Sequence, residues 1–122
     1  MNLGKREFRD FIVDIAHCSK KAQEFIYGVS LKDFRDDEKT LFAVMKAIEI
    51  IGEASKKIPE NIKQNYSNIP WKEMAGMRDK IVHQYFGINP EILFDVVENH
   101  LPHLDRSLLP LMKEFDLEKE IY

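Results

Sequence analysis

One cysteine, five glycines and no long apolar run set the first limits on this 122-residue chain. With Cys18 as the single thiol, no internal disulfide can form, and a reducing compartment is the expected setting. Cys18 sits among helix-spaced apolar residues, which predicts a packed, unreactive side chain. No apolar stretch approaches the roughly 20 residues needed to cross a bilayer. The opening MNLGKREFRDFIVDI places Lys5, Arg6, Glu7, Arg9 and Asp10 where a secretory signal needs its apolar segment, so a cytoplasmic location is expected. Also missing are a phosphate-cradling glycine loop, a paired-cysteine zinc pattern and a nucleophilic serine elbow.

A basic excess is missing too. The net charge is -3, which argues against binding nucleic acid by bulk electrostatics. The distribution is more informative: residues 1–55 carry 9 basic and 10 acidic side chains, residues 56–90 carry 6 and 3, and residues 91–122 carry 3 and 8. Only the middle segment is net positive, and an anionic ligand there is compatible with the pattern.

What is present is helical. The length and the 44% hydrophobic content predict one domain over residues 1–122 with a real core. Phe8, Phe11, Ile12, Ile15, Ala22, Phe25, Ile26 and Val29 recur at helical spacing, with Gly28 and Ser30 marking the end. Ser30 and Asp33 are spaced as a capping box, and Asp36 or Asp37 can cap the next helix. From about Glu38 to Lys57, Leu41, Val44, Met45, Ile48, Ile51, Gly52 and Ser55 share one face. Gly52 inside that helix costs about 1 kcal/mol relative to alanine, which predicts close approach of another backbone, from this chain or from a second subunit. Pro59 and Pro70 each suit a helix start, Gly87 a helix end, and Asn89–Pro90 an N-cap with proline in the first turn. Pro102 and Pro110 should bend or interrupt the last apolar stretch. With no period-two alternation, the expected fold is all-α: an up-and-down four-helix-type bundle with one or two additional short helices.

The stretch RDKIVHQYF, Arg78 to Phe86, holds the side chains best suited to chemistry. A histidine exchanges protons near neutral pH, and a guanidinium makes paired hydrogen bonds to a phosphate whose charge grows in the transition state. These suit phosphoryl transfer on RNA, where the 2′-hydroxyl is an internal nucleophile and no metal is required in principle. On one helix Arg78 and Tyr85 lie on nearly the same face, whereas His83 is rotated by about 140° from Arg78. A cleft shared with another helix or a symmetric subunit is needed to bring them together. Asp79, four residues before His83, is spaced to orient the imidazole. By spacing alone, a solvated Arg78, a boundary His83 and a half-buried Tyr85 account for the same residues.

The run R-x-x-x-x-H-x-Y, read as Arg78, His83 and Tyr85, with the polar Asp79 after the arginine, resembles the signature of HepT-like toxins in the HEPN superfamily of ribonucleases. IEIIGEASKKIP, IPWKEMAGMRDKIVHQYFGI and LPHL extend the resemblance over roughly residues 41–105. It implies a helical homodimer whose two motifs face a common cleft, with Arg78 on the scissile phosphate, His83 as general acid or base and Asp79 supporting the pair. It also implies a partner, a nucleotidyltransferase antitoxin of the MntA type that transfers AMP to Tyr85. Related bundles serve as non-catalytic docking or nucleotide-binding subunits, and that alternative stays open here.

His100 and His103 are three apart, but Pro102 disturbs a shared metal geometry, and no metal or other cofactor is expected. His17 reads as a boundary residue. Trp71 can stack a base, yet its place at a helix start favours anchoring to the core. Glu53, beside Gly52, either faces the cleft and bonds the motif or points to solvent.

Overall fold

The computed structural model describes residues 6–83 and 87–121. Among them the chain is helical and contains no strand. The elements are α1 (Phe8–Ile26), α2 (Leu31–Asp36), α3 (Glu38–Lys56), α4 (Glu60–Asn65), α5 (Trp71–His83), α6 (Pro90–Asp95) and α7 (Leu101–Glu114). A π-helical turn, Val96–His100, joins α6 to α7, and a 3-10 turn, Glu118–Glu120, follows α7. The all-α bundle expected from periodicity is the fold observed.

Helix starts follow local chemistry. The Ser30 hydroxyl accepts from the Asp33 backbone at 3.1 Å, opening α2. Asp37, rather than Asp36, caps α3 by accepting from the Thr40 backbone at 3.1 Å. Asn89 caps α6 at 2.8 Å from the Glu91 backbone, with Pro90 at the first helical position. In each case a side-chain oxygen satisfies a backbone donor that the first turn leaves free. After α1, Gly28 adopts φ +74, a left-handed conformation that suits glycine and turns the chain into α2.

Helix α3 is the central element. It packs against α1 on one side and α5 on the other, and α7 closes over α1. Ile12 and Ile15 of α1, Val44, Ile48 and Ile51 of α3, and Leu104, Leu108 and Leu111 of α7 are buried in one core. Trp71 opens α5 as an anchor: it is buried, and its indole N–H donates to the Tyr66 carbonyl at 3.1 Å. A polar clamp ties α1 to α7, with the Ser19 hydroxyl donating to Asp105 at 2.6 Å and the Gln23 amide donating to the other Asp105 oxygen at 2.7 Å.

The two prolines of the last stretch act differently. Just before Pro102 the backbone opens into the π turn, with the Leu101 N–H reaching back to the Val96 carbonyl. Pro110, in contrast, lies within an uninterrupted α7. Both Pro110 and Arg106 are exposed, so water can satisfy the Arg106 carbonyl that loses its donor.

Candidate active site at the contact of two helices

The site begins with Gly52. A Cβ built there would overlap the Cβ of Arg78 and lie 2.6 Å from the Met74 carbonyl oxygen. The close approach expected from the sequence is therefore made by α5 of the same chain. Only a residue without a side chain lets the two backbones come so near, and this contact sets Arg78 against α3.

Glu53 and Lys56, three residues apart on α3, flank the contact. The Arg78 Nε lies 3.1 Å from Glu53 Oε2. This is an ion pair by distance, but the N–H is not aimed as a hydrogen bond, and Nε is otherwise buried without a partner. Arg78 Nη1 donates to Asp79 Oδ1 at 3.4 Å, at the long end of such contacts. The same Asp79 oxygen is held more closely by the Lys56 ammonium. The four groups thus form a chain of alternating charge in the order Glu53, Arg78, Asp79, Lys56. The hydrogen bond from Lys56 and the neighbouring Arg78 hold the Asp79 carboxyl below its ordinary range, against a smaller opposing effect of desolvation.

This arrangement settles where Glu53 points: to the motif arginine. It also gives Asp79 a different bond from the one its spacing suggests. Asp79 is on the helix turn that precedes His83, yet its carboxylate is engaged by Lys56 and Arg78, and among the described residues no hydrogen bond joins it to His83. A cross-helix ammonium is a stronger partner for a carboxylate than an imidazole one turn away.

His83 is the last described residue of α5 and is exposed. Among the described residues it has no hydrogen-bond or ion-pair partner, Arg78 included. Within one chain the structure therefore assembles Arg78 and Asp79 but leaves His83 apart, as the helical rotation requires. Tyr85 lies outside the described residues.

The remaining candidates are quieter. His100 Nε2 is 3.3 Å from Asp95 Oδ2 at an exposed position, and His103 is exposed. Among the described residues no three His, Cys, Asp or Glu side chains converge as a metal site. His17 is half-buried, as a boundary residue should be. Burial pushes the Cys18 thiol up to about 11, with the nearby Asp14 carboxylate acting in the same direction. Among the described residues no helix is long and apolar enough to cross a membrane. Lys56 is the residue of the cluster that sequence patterning misses. Its one signal is its position four residues after Gly52 and three after Glu53, which places it beside the close-approach face.

Comparison with known proteins adds a family to this geometry. Residues 15–110 match the model of the family described as Ribonuclease HepT-like. A protein of Thermococcus cleftensis named "Probable ribonuclease HepT" is 44% identical over 109 residues, covering 89% of this chain and 99% of its own. One from Methanocaldococcus jannaschii named "Putative RNase" is 39% identical over 118 residues, covering 97% of this chain and 98% of its own. A third, also named "Putative RNase", from Caldanaerobacter subterraneus, is 37% identical over 91 residues, covering 75% and 81%. No solved structure matches the chain.

Proposed function

The chain belongs to the family of HepT-like ribonucleases, and from that premise we propose that it is a metal-independent endoribonuclease, the toxin of a toxin–antitoxin pair. The observation that carries this reading is the placement of Arg78. Gly52 seats its backbone and the Glu53 carboxylate lies 3.1 Å from its Nε, while Nη2 has no partner among the described residues and Nη1 makes only a long contact. A guanidinium so held can receive a phosphate oxygen with little reorganisation.

In the proposed reaction Arg78 binds the scissile phosphate and offsets the charge that develops on it. His83 takes the proton from the 2′-hydroxyl as that oxygen attacks phosphorus, or returns one to the departing 5′-oxygen. The new 2′-oxygen–phosphorus bond replaces the broken bond to the 5′-oxygen, so no oxidant or metal is needed for balance. Asp79 supports Arg78 through the single long Nη1 contact, its oxygen being held mainly by Lys56. Because a single chain leaves His83 apart from Arg78, the working site is the cleft of a homodimer, where the motif of a second copy supplies what one helix cannot.

Silencing follows from the same charges. A nucleotidyltransferase antitoxin of the MntA type moves AMP from a nucleoside triphosphate to the Tyr85 hydroxyl, releasing pyrophosphate. The helical spacing of the motif gives Tyr85 nearly the same face as Arg78, and the negative charge of the added phosphate then competes with RNA for the guanidinium. The setting is cytoplasmic, where RNA and the partner are found together.

Expression in a bacterial host tests the whole reading. The parent chain should arrest growth and the His83→Ala variant should not. Co-expression of an MntA-type partner should relieve the parent but fail to relieve Tyr85→Phe. Growth arrest by His83→Ala equal to that of the parent would remove His83 from the chemistry.

A further inference from the structure

Asp79 has two cations to choose from, and the choice matters for Arg78. A carboxylate that closes on a guanidinium makes two parallel hydrogen bonds, occupying the nitrogens that a phosphate would use. Here that closure is incomplete: Arg78 Nη1 stands 3.4 Å from Asp79 Oδ1, while the Lys56 ammonium holds the same oxygen more closely. Lys56 approaches from the last turn of α3, across the helix contact that Gly52 allows.

We propose that Lys56 is a positioning residue of the site, drawing the Asp79 carboxylate off Arg78 so that the guanidinium stays available to an RNA phosphate. The proposal rests on the ribonuclease reading above for its ligand, and on the Glu53–Arg78–Asp79–Lys56 chain for its geometry.

Charge supports it in a second way. With Lys56 present the four side chains cancel, and an incoming phosphate meets a neutral cluster with one engaged and one open face of Arg78. Without Lys56 the two carboxylates outweigh the single guanidinium, and the cluster repels an anion. Asp79, like any ordinary aspartate, is ionised through the neutral range, and its titration is lowered further, first by Lys56, so Lys56 faces a permanent partner. Lys56 itself is partly exposed, at 36% of its side chain, so its removal opens no cavity in the core.

The test is a cycle of variants read by binding. The probe is a fluorescent 2′-O-methyl RNA oligonucleotide, which has RNA phosphates but no attacking hydroxyl, so affinity is measured without turnover. Lys56→Ala should weaken binding about tenfold, and Lys56→Arg should restore most of it. In an Asp79→Asn background the same Lys56→Ala change should cost no more than about threefold, because the carboxylate it restrains is gone. Equal losses in both backgrounds would mean that Lys56 touches the phosphate itself, and no loss in either would mean that it does nothing for the site; each outcome overturns the proposal. Cleavage of unmodified RNA by the parent is measured beside these. A parent that binds the probe and shows the cycle but leaves unmodified RNA intact defeats the nuclease reading alone. A parent that binds neither RNA defeats both.

Discussion

Gly52 and Arg78 touch backbone to side-chain base: α3 and α5 approach so closely that a methyl group on Gly52 would lie 2.1 Å from the Arg78 Cβ. The contact is at once a packing requirement and the feature that seats the motif arginine. Gly52→Ala should therefore destabilise the fold, by about 1–3 kcal/mol as overpacked sites do, in spite of the better helix propensity of alanine. Gly76 is the internal control. It lies in α5 with no neighbouring atom of the described residues within 4 Å of a built Cβ, so Gly76→Ala should gain about 0.5–1 kcal/mol. Chemical denaturation of the two variants checks this, and equal effects of the same sign would contradict it.

Cys18 should resist alkylation. Its thiol, half-buried and pushed up to about 11, is overwhelmingly protonated at neutral pH, and the thiolate is the reactive form. Iodoacetamide should modify the denatured chain readily and the native chain at least about tenfold more slowly, as followed by intact mass.

Asp79 gives the site an acid-sensitive element. Its folded titration is depressed below the unfolded value, so the stabilisation it contributes is present above the ordinary carboxylate range and fades as pH falls towards the folded value. Lys56 and Arg78 should remain paired with it at neutral pH and lose it in acid. Carbon-detected NMR titration of the parent should show Asp79 titrating below an ordinary aspartate, and in Lys56→Ala its midpoint should rise. An unchanged midpoint would place the cause elsewhere.

Much of this architecture is legible in the amino-acid sequence. Helix starts at Ser30, Asp37 and Asn89–Pro90 depend on side chains within three residues of the backbone donors they satisfy, and such local chemistry is visible in the order of residues. Gly52 signals a close approach, but not to what, because its partner lies more than 20 residues away. Asp79 shows the other limit. Helical period puts it one turn from His83, yet the contact that forms is with Lys56 on another helix, and periodicity within one helix carries no information about that neighbour. The π turn before Pro102 is likewise only half visible: the proline signals an interruption, but not that it takes the form of a π turn. Tyr85 lies outside the described residues, so its place in the site rests on the motif.

Modification of Tyr85 is checked by mass. Incubated with an MntA-type nucleotidyltransferase and ATP, the parent should gain one or more AMP groups and lose activity on RNA. Tyr85→Phe should gain none, and continued modification of that variant would move the acceptor to another residue.

The most direct measurement is cleavage of purified cellular RNA by the isolated protein in the presence of a chelator, beside Arg78→Ala and His83→Ala, with intact mass confirming that the parent is unmodified. Cleavage by the parent, and its loss in both variants at unchanged helix content and oligomeric state, is the predicted result. An unmodified parent that leaves RNA intact, or either variant cutting at the parent's rate, would contradict the account.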